Sequence, residues 1–496
     1  MMLGSHKNTY YAIKQFVSEE SSMDFITALL PRRRKTFWYN TLENCVYTQK
    51  IKMKMIQRPK YLNALIRAMG NGFPKVITGI RRCGKSYLLK NVFVSYLRDQ
   101  GVSDEEILSI DLDDDRNAGL RNPVSLGETV RAWAKGKNRT FVFLDEIQKV
   151  NTVRNPAYTG GEIVVLPQKD KNRDDAISFV DVVLGLSRES NIDLYVTGSN
   201  SKMLSTDVAT EFRDKATTIE MAPLSFEEYA AFRGGSSYES LQDYIVYGGM
   251  PLAVLKDDEE EKKTYLKNLF ETTYLKDIIE RYGIEKTGTL EELANVLSAS
   301  AGSLVNVQKI AATIGSKKKE KVSAPTIDRW LLALKDAFLV KEARRYDIKG
   351  RREIGALRKY YFADVGLRNA RLDFAFSDEG QMLENVLYNE LIYHGFSVSV
   401  GTFDYFGKDA ENKTIRKDAE IDFYAKKGTR RLYIQVCADL SSPSTREREI
   451  RPFLALDDSV QKVLVLARPA KAALDENGFL VIGAPEFLLR FLREEY

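Results

Sequence analysis

Apolar runs and segments of helical periodicity alternate along the first half of the chain. The short, mainly apolar runs cover residues 75–78, 107–112, 140–144 and 194–197. The segments in which apolar residues return every three or four positions cover residues 59–69, 85–100, 124–135 and 177–186. Runs that lack alternation suit strands of a parallel sheet covered on both faces by helices. The pattern therefore predicts an α/β fold with a parallel sheet at its core.

The turn after the first apolar run carries a phosphate-binding pattern. Gly79 is followed after four residues by Gly84-Lys85-Ser86, and a helical segment begins there. In this P-loop (Walker A) spacing, backbone N–H groups face an anion, the lysine reaches the β- and γ-phosphates and the serine hydroxyl binds Mg²⁺. The predicted nucleotide cradle comprises Gly79, Ile80, Arg81, Arg82, Cys83, Gly84, Lys85, Ser86 and Tyr87.

An acidic pair ends a second apolar run. Asp145 and Glu146 follow residues 140–144, which is the Walker B arrangement. We expect Asp145 to hold Mg²⁺ through water, and Glu146 to orient or deprotonate the attacking water. The additional strand at 107–112, together with this glutamate, favours an ATP-hydrolysing protein over the kinases and GTPases.

A polar turn follows the strand predicted at 194–197. Ser199 and Asn200 are both candidates for a sensor residue that contacts the γ-phosphate or the lytic water. An ordinary Gly-Ser-Asn turn is the alternative.

Composition and charge add limits to this picture. A chain of 496 residues is expected to form two to four domains. The formal charge of +5 permits a nucleic-acid-binding face without requiring one. We expect no membrane-spanning segment and no secretory signal, and the three cysteines are too few and too scattered for a disulfide framework or a zinc site. These features favour a cytoplasmic protein.

Further motifs then follow in a characteristic order. They are T-G-S-N-S-K-x-L from Thr197, P-L-S-F-x-E from Pro223, Y-G-G-x-P from Tyr247 and Y-L-K-D-I from Tyr274. Their succession resembles a large group of prokaryotic AAA+-type ATPases that carry a C-terminal domain of unknown function. The resemblance extends from about residue 57 to the end of the chain.

This resemblance implies a domain organisation and a possible residue acting between subunits. It implies an AAA+ core at 57–224, a helical lid at 225–290, a winged-helix segment at 291–355 and a restriction-endonuclease-like domain at 356–496. Residues 1–56 are an extension of uncertain origin, and 151–175 form either a projecting hairpin or a solvent loop. Arg213 could act as an arginine finger on the ATP of a neighbouring subunit in a homo-oligomer, or be a surface arginine.

The pattern around residues 307–352 agrees with a winged helix. Helices are predicted at 307–314 and 323–335, a turn between them contains Lys317, Lys318 and Lys319, and an extended basic stretch covers 338–352. In this layout the second helix enters the major groove and the wing contacts phosphates. Such modules also serve as protein–protein adaptors, so DNA or RNA and a protein partner both remain open.

The last part of the chain has the order of a PD-(D/E)xK nuclease with altered residues. Glu384 lies on a predicted helix at 380–391, and strands are predicted at 396–400, 420–424 and 432–437. Asp422 occupies the first acidic strand position, but Gln435 stands at the second and Cys437 where lysine is expected. A neutral amide and a thiol do not replace a carboxylate and an ammonium. We therefore expect a degenerate, weak or inactive site, or residues that simply hold the fold.

Three functions follow from these observations. The first is a Mg²⁺-dependent, oligomeric ATPase that couples hydrolysis to binding or remodelling nucleic acid. The second is a nucleotide-gated switch that controls binding of a protein partner. The third is a nuclease under ATP control.

Overall fold

The computed structural model describes residues 55–167, 173–198, 212, 215–375, 379–408, 413–438, 440 and 442–493. The chain divides into two compact units, Met1–Gln57 and Arg58–Tyr496, and every element below lies in the second. None of the helices in these described ranges has the length and apolar character needed to cross a membrane.

The N-terminal half of this unit contains a five-stranded parallel sheet. Its strand order is β2-β3-β6-β1-β7. The strands are β1 (Lys75–Thr78), β2 (Ile107–Asp111), β3 (Thr140–Asp145), β6 (Ile192–Thr197) and β7 (Thr217–Glu220). A small antiparallel pair, β4 (Val153–Arg154) and β5 (Ala176–Ile177), lies between β3 and β6 in sequence. The predicted parallel sheet is confirmed, and β6 is the neighbour of both β1 and β3.

Helices cover both faces of this sheet. They are α1 (Pro59–Ala68), α2 (Lys85–Tyr87, Leu88–Phe93 with π-helical bonding, and Val94–Asp99), α3 (Pro123–Ala134) and α4 (Phe179–Leu186). Phe141 and Phe143 of β3 pack in the cluster that contains α1 and α2, whereas Val142 and Leu144 pack in the cluster that contains α3 and α4. Successive side chains of a strand point to opposite faces, so a strand buried on both sides has no polar alternation.

The predicted helix at 177–186 begins two residues later than expected. Ile177 belongs to β5, and Ser178 is the N-cap of α4. The Ser178 hydroxyl accepts from the Val180 amide, and the Asp181 carboxylate accepts from the Ser178 amide. This capping box sets the start of the helix.

The 151–175 insert has features of both predicted alternatives, a projecting hairpin and a solvent loop. Besides the β4–β5 pair, Val153 forms an isolated bridge with Val165. Ile163, Val164 and Val165 are nevertheless exposed.

A run of helices follows the sheet. The helices are α5 (Phe226–Arg233), α6 (Ser237–Tyr247), α7 (Pro251–Val254), α8 (Glu259–Asn268, continued by the π-helical Leu269–Leu275), α9 (Lys276–Tyr282) and α10 (Thr287–Ala299). This stretch contains the predicted lid.

The C-terminal half contains a mixed nine-stranded sheet. Its strand order is β15-β16-β14-β13-β12-β11-β9-β10-β8. The strands are β8 (Leu304–Val305), β9 (Val340–Asp347), β10 (Arg352–Phe362), β11 (Ser397–Lys408), β12 (Thr414–Lys427), β13 (Arg430–Cys437), β14 (Gln461–Leu466), β15 (Ala473–Leu474) and β16 (Leu480–Gly483). Because β9 and β11 pair in parallel, the basic hairpin and the strands beyond it share one sheet. The predicted boundary between 355 and 356 falls inside β10.

Several α-helices accompany this sheet in the described part of the chain. They are α11 (Val307–Lys318), α12 (Ala324–Asp336), α13 (Val365–Arg371), α14 (Glu379–Tyr393), α15 (Pro443–Leu454) and α16 (Ala484–Leu489). Our placement of Lys317 and Lys318 in a turn was wrong, because both lie in the last turn of α11 and Lys319 is its C-cap. Cations are favourable there because they face the negative end of the helix dipole.

Candidate nucleotide-binding site

Two glycines shape the loop between β1 and α2. Gly79 has φ +130°, and an added Cβ would lie 2.0 Å from the carbonyl oxygen of Met221. Gly84 has φ +98° and precedes the first helical residue, Lys85. A side chain at Gly79 would therefore displace the segment that follows β7, and both φ values favour glycine.

Lys85 is buried against the loop that precedes it. Its ammonium donates to the carbonyl oxygens of Gly79 at 2.9 Å and Ile80 at 3.0 Å. These bonds hold the lysine at the loop, where the Walker A prediction places it.

The predicted magnesium residues are in direct contact. Ser86 Oγ donates to Asp145 Oδ1 at 2.9 Å, and the Thr197 hydroxyl donates to the same carboxylate. Asp145 is only 3% exposed. A hydroxyl and a carboxylate are oxygen donors of the kind Mg²⁺ prefers, and Mg²⁺ usually completes its shell with water and phosphate oxygens. The residues present fit this ion.

Lys90 joins this site, and the sequence analysis missed it. Its ammonium lies 2.6 Å from Asp145 Oδ2 and 2.9 Å from Asp111 Oδ2. Burial alone would lower the pKa of Lys90, but the hydrogen bonds to the two carboxylates outweigh it and raise that pKa. The signal was present, since Ser86 and Lys90 are four residues apart on one helix and Asp111 pairs with Asp145 across β2 and β3.

Glu146 has an unusual backbone conformation. Its φ is +54°, in the left-handed region, and its amide donates to Thr197 Oγ1 at 3.2 Å. The Gln148 side chain donates to its carboxylate. Left-handed backbone at a non-glycine residue costs about 1 kcal/mol and often accompanies functional sites.

Arg58, immediately before α1, ties the loop to its surroundings. Its guanidinium lies 3.2 Å from the Glu228 carboxylate and donates to the carbonyls of Cys83 at 3.1 Å and Ala222 at 2.7 Å. Arg58 and Glu228 are both buried. This ion pair explains the glutamate of the P-L-S-F-x-E motif.

The remaining predicted ATPase residues cannot be placed. Ser199, Asn200 and Arg213 lie outside the described residues. The sensor and arginine-finger assignments therefore stay predictions.

A second polar cluster lies in the C-terminal half, around Glu384 of α14. Lys359 of β10 inserts its ammonium 3.0 Å from Glu384 and 3.0 Å from Glu420. The Tyr361 hydroxyl donates to Glu384 at 2.5 Å. Burial and the charge of Glu384 raise the pKa of Asp422, whose carboxylate accepts from the Val436 amide at 2.8 Å.

Gln435 contacts this cluster through its amide. Its Oε1 accepts from the Asp422 amide at 3.4 Å, and its Nε2 donates to Glu449 at 3.3 Å. Glu384, Asp422 and Gln435 therefore belong to one polar cluster, in which Lys359 is an unforeseen cation.

The metal ion of an active nuclease does not fit this second cluster. In the part of the chain that the structure describes, no group of three or more His, Cys, Asp or Glu side chains is placed to hold a metal ion. The ammonium of Lys359 already forms ion pairs with Glu384 and Glu420. Cys437 is buried at the end of β13 and supplies no positive charge.

Comparisons with known proteins bear on both halves of the chain. A family described as AAA domain matches residues 71–230, and a Domain of unknown function (DUF8612) matches residues 238–378. An uncharacterized protein of Haemophilus influenzae is 30% identical over 442 residues, which cover 88% of this chain and 99% of that protein. An uncharacterized protein of Methanocaldococcus jannaschii is 27% identical over 399 residues, which cover 76% and 77% of the two chains.

Among solved structures, Cdc6p of Pyrobaculum aerophilum covers 68% of this chain and 95% of its own, at 12% identity and a TM-score of 0.25. That score is too low to support a conclusion. The parallel sheet and the AAA-domain match together make the N-terminal half a P-loop NTPase of the AAA type.

Proposed function

We propose that this chain, which belongs to the same protein family as the Haemophilus influenzae protein and contains an AAA domain, is a Mg²⁺-dependent ATPase. The observation that carries the proposal is the contact between Ser86 and Asp145 beside the buried Lys85. Magnesium would polarise the terminal phosphate when bound with the nucleotide.

Each residue of the site then has one task. Lys85 binds the β- and γ-phosphates, while Ser86 and Asp145 hold the metal side of the site. Glu146, at the end of β3, orients the attacking water and accepts its proton at the carboxylate.

Two variants test this assignment. Lys85→Ala should abolish nucleotide binding or turnover, whereas Glu146→Gln should keep binding and lose hydrolysis. Lys135→Ala and Glu128→Gln are matched controls at exposed positions of the same domain. Normal hydrolysis by Glu146→Gln would show that this residue is not the general base.

We further propose that the protein works as a homo-oligomer in which Arg213 completes the site of a neighbour. Mixing Lys85→Ala with Arg213→Ala subunits tests this, because each supplies what the other lacks. Partial recovery of hydrolysis supports action between subunits. Size measurement with ATP and Mg²⁺ present would establish the number of subunits.

Nucleic acid is the substrate we propose for the C-terminal half. The order α10, β8, α11, α12, β9, β10, with β8 and β9 both pairing with β10, supports a winged helix, and Arg351 and Arg352 are exposed at its hairpin. Some of the predicted basic residues are engaged elsewhere, since Arg344 pairs with Glu342 and Glu353.

ATP turnover with double-stranded, branched and single-stranded DNA, and with RNA, separates the two main functions. Strong stimulation supports remodelling of nucleic acid. Its absence favours a nucleotide-gated switch for a protein partner. An Arg351→Ala/Arg352→Ala variant should bind DNA more weakly and with a smaller dependence on salt.

The proposed nuclease-like domain at 356–496 is best regarded as a binding scaffold. Lys359 occupies the place between Glu384 and Glu420, and Gln435 replaces an acid. Metal-dependent DNA cleavage that is lost in Asp422→Ala would contradict this assignment.

A further inference from the structure

The π-helical end of α8 and the helix that follows it, α9, both contact the phosphate loop. The Tyr274 hydroxyl donates to the backbone carbonyl of Arg81 at 2.7 Å. Arg81 and Asp277 also form an ion pair, in which Arg81 Nη1 lies 3.2 Å from Asp277 Oδ1. The loop is therefore held at its backbone and at a side chain by residues of the Y-L-K-D-I motif.

Asp277 is shared between two arginines. Its other oxygen, Oδ2, accepts from Arg281 Nη2 one turn later on α9. The Arg281 side chain is only 9% exposed, and within the described residues its Nη1 has no hydrogen-bond partner. A buried donor without an acceptor is unfavourable, and a charged one more so.

We propose that the Arg81 guanidinium binds a phosphate of the nucleotide. Asp277 is its counter-ion when no nucleotide is bound, and Arg81 leaves Asp277 when the phosphate binds. This inference rests on the proposed ATPase function and adds Asp277 to its site as the counter-ion of Arg81. A triphosphate carries several negative charges against one on Asp277, so it competes well for a guanidinium at the same loop.

The Asp277 carboxylate that Arg81 releases can then pair more fully with Arg281. Once Oδ1 is released by Arg81, Asp277 can accept both Arg281 nitrogens in a bidentate pair. The unpaired Nη1 then gains its acceptor. The same side chain that restrains Arg81 without nucleotide thus becomes fully paired with Arg281 when nucleotide binds.

Helix α9 is also linked to the C-terminal half by a hydrogen bond. Tyr282, at the end of α9, donates its hydroxyl to Asp336 at 2.7 Å, and Asp336 ends α12. The helix that carries Asp277 is thus joined by a hydrogen bond to the second helix of the proposed winged helix.

Asp277→Asn tests the competition, because it keeps the shape of the side chain and removes its charge. We expect binding of a fluorescent ATP analogue to tighten by about fivefold, within the usual range of coupling between sites. A carboxylate that merely stabilised the fold would give weaker binding on removal. Glu280→Gln, on the same helix and exposed, is the control and should bind like wild type.

A double variant isolates the partner. In an Arg81→Gln background, which should itself weaken binding, Asp277→Asn should have no further effect on affinity. Thermal melting of each variant shows whether it is folded. If Asp277→Asn is unstable, Asp277→Glu, which keeps the charge, should bind the ATP analogue with the affinity of the wild type.

The outcomes are distinct. If wild type binds ATP and Asp277→Asn binds equally or more weakly, or if its effect persists without Arg81, the pairing proposal is overturned and the ATPase proposal stands. If wild type binds no ATP, both are overturned.

Discussion

Ser86 donates a hydrogen bond to Asp145 at 2.9 Å, although the two residues lie 59 positions apart in sequence. Ser86 lies in the first turn of the helix after the phosphate loop, and Asp145 ends β3. The fold therefore brings a hydroxyl and a carboxylate to the same edge of a parallel sheet, where ligands of such sheets usually bind.

This contact predicts the magnesium dependence of hydrolysis. Ser86→Ala and Asp145→Asn should each raise the Mg²⁺ concentration needed for half-maximal ATP hydrolysis and lower the maximal rate by about 100-fold, because oxygen ligands and charge are lost. A Mg²⁺ titration of the rate measures both effects. Ser109→Ala, at an exposed position of β2, should behave like wild type.

The position of Lys90 predicts the opposite effect on substitution, a lower Mg²⁺ requirement. Its ammonium occupies Asp145 Oδ2, so it competes with a divalent ion for that carboxylate. In Lys90→Gln, half-maximal hydrolysis should need severalfold less free Mg²⁺. An unchanged Mg²⁺ requirement would mean that Lys90 and the ion use Asp145 without competing.

Glu390 predicts a pH dependence of stability. It accepts from the Phe226 amide at 2.8 Å, and burial raises its pKa from 4.5 to about 8, helped by the charges of Glu228 and Glu227. The folded state therefore binds the proton more tightly than the unfolded state. Stability should fall as pH rises from about 5 to about 8 and stay lower above that range.

Glu390→Gln removes this titration and keeps an acceptor for the Phe226 amide. The melting temperatures of variant and wild type should be similar at about pH 4, and the variant should be more stable at about pH 9 by on the order of a few kcal/mol. His394 lies nearby with a pKa lowered by burial to about 4, and it is common to both proteins. Glu291→Gln, exposed on α10, should show no such gain.

Lys359 predicts a large loss of stability on substitution. Lys359→Met leaves Glu384, Glu420 and Asp422 without their cation and should lower the free energy of unfolding by about 3–5 kcal/mol. Urea unfolding measures this difference. Lys471→Met, at an exposed position, should stay within about 0.5 kcal/mol of wild type.

Local pattern predicted the elements because burial and periodicity are local properties. The strands around Val142 and Val196 are apolar on both faces and were recognised from that alone. The start of α4 depends on the Ser178 cap, which apolar periodicity does not reveal. The joining of β9 to β11 gave no local signal, because it depends on two strands far apart in sequence.

The candidate site was predicted as far as its motifs extend. Lys85, Ser86 and Asp145 lie together, whereas Lys90 and Lys359 were missed because their partners come from other elements. A motif can also mark packing.

The Y-G-G-x-P glycines are an example of such packing. The Gly249 amide donates to the buried Asp364 at 2.7 Å. A Cβ at Gly249 would lie 2.3 Å from the carbonyl oxygen of Leu224. Only glycine leaves room for this approach.

The nine-stranded sheet limits how the C-terminal half can respond to nucleotide. Its hydrogen bonds run without a break from β8 through the basic hairpin to β15, so a hinge between the proposed winged helix and the domain beyond it would have to rupture a strand ladder. A movement caused by the proposed ATP hydrolysis would therefore displace these two parts together. Any bending between the two halves would then have to occur in the helices on the ATPase side of this sheet.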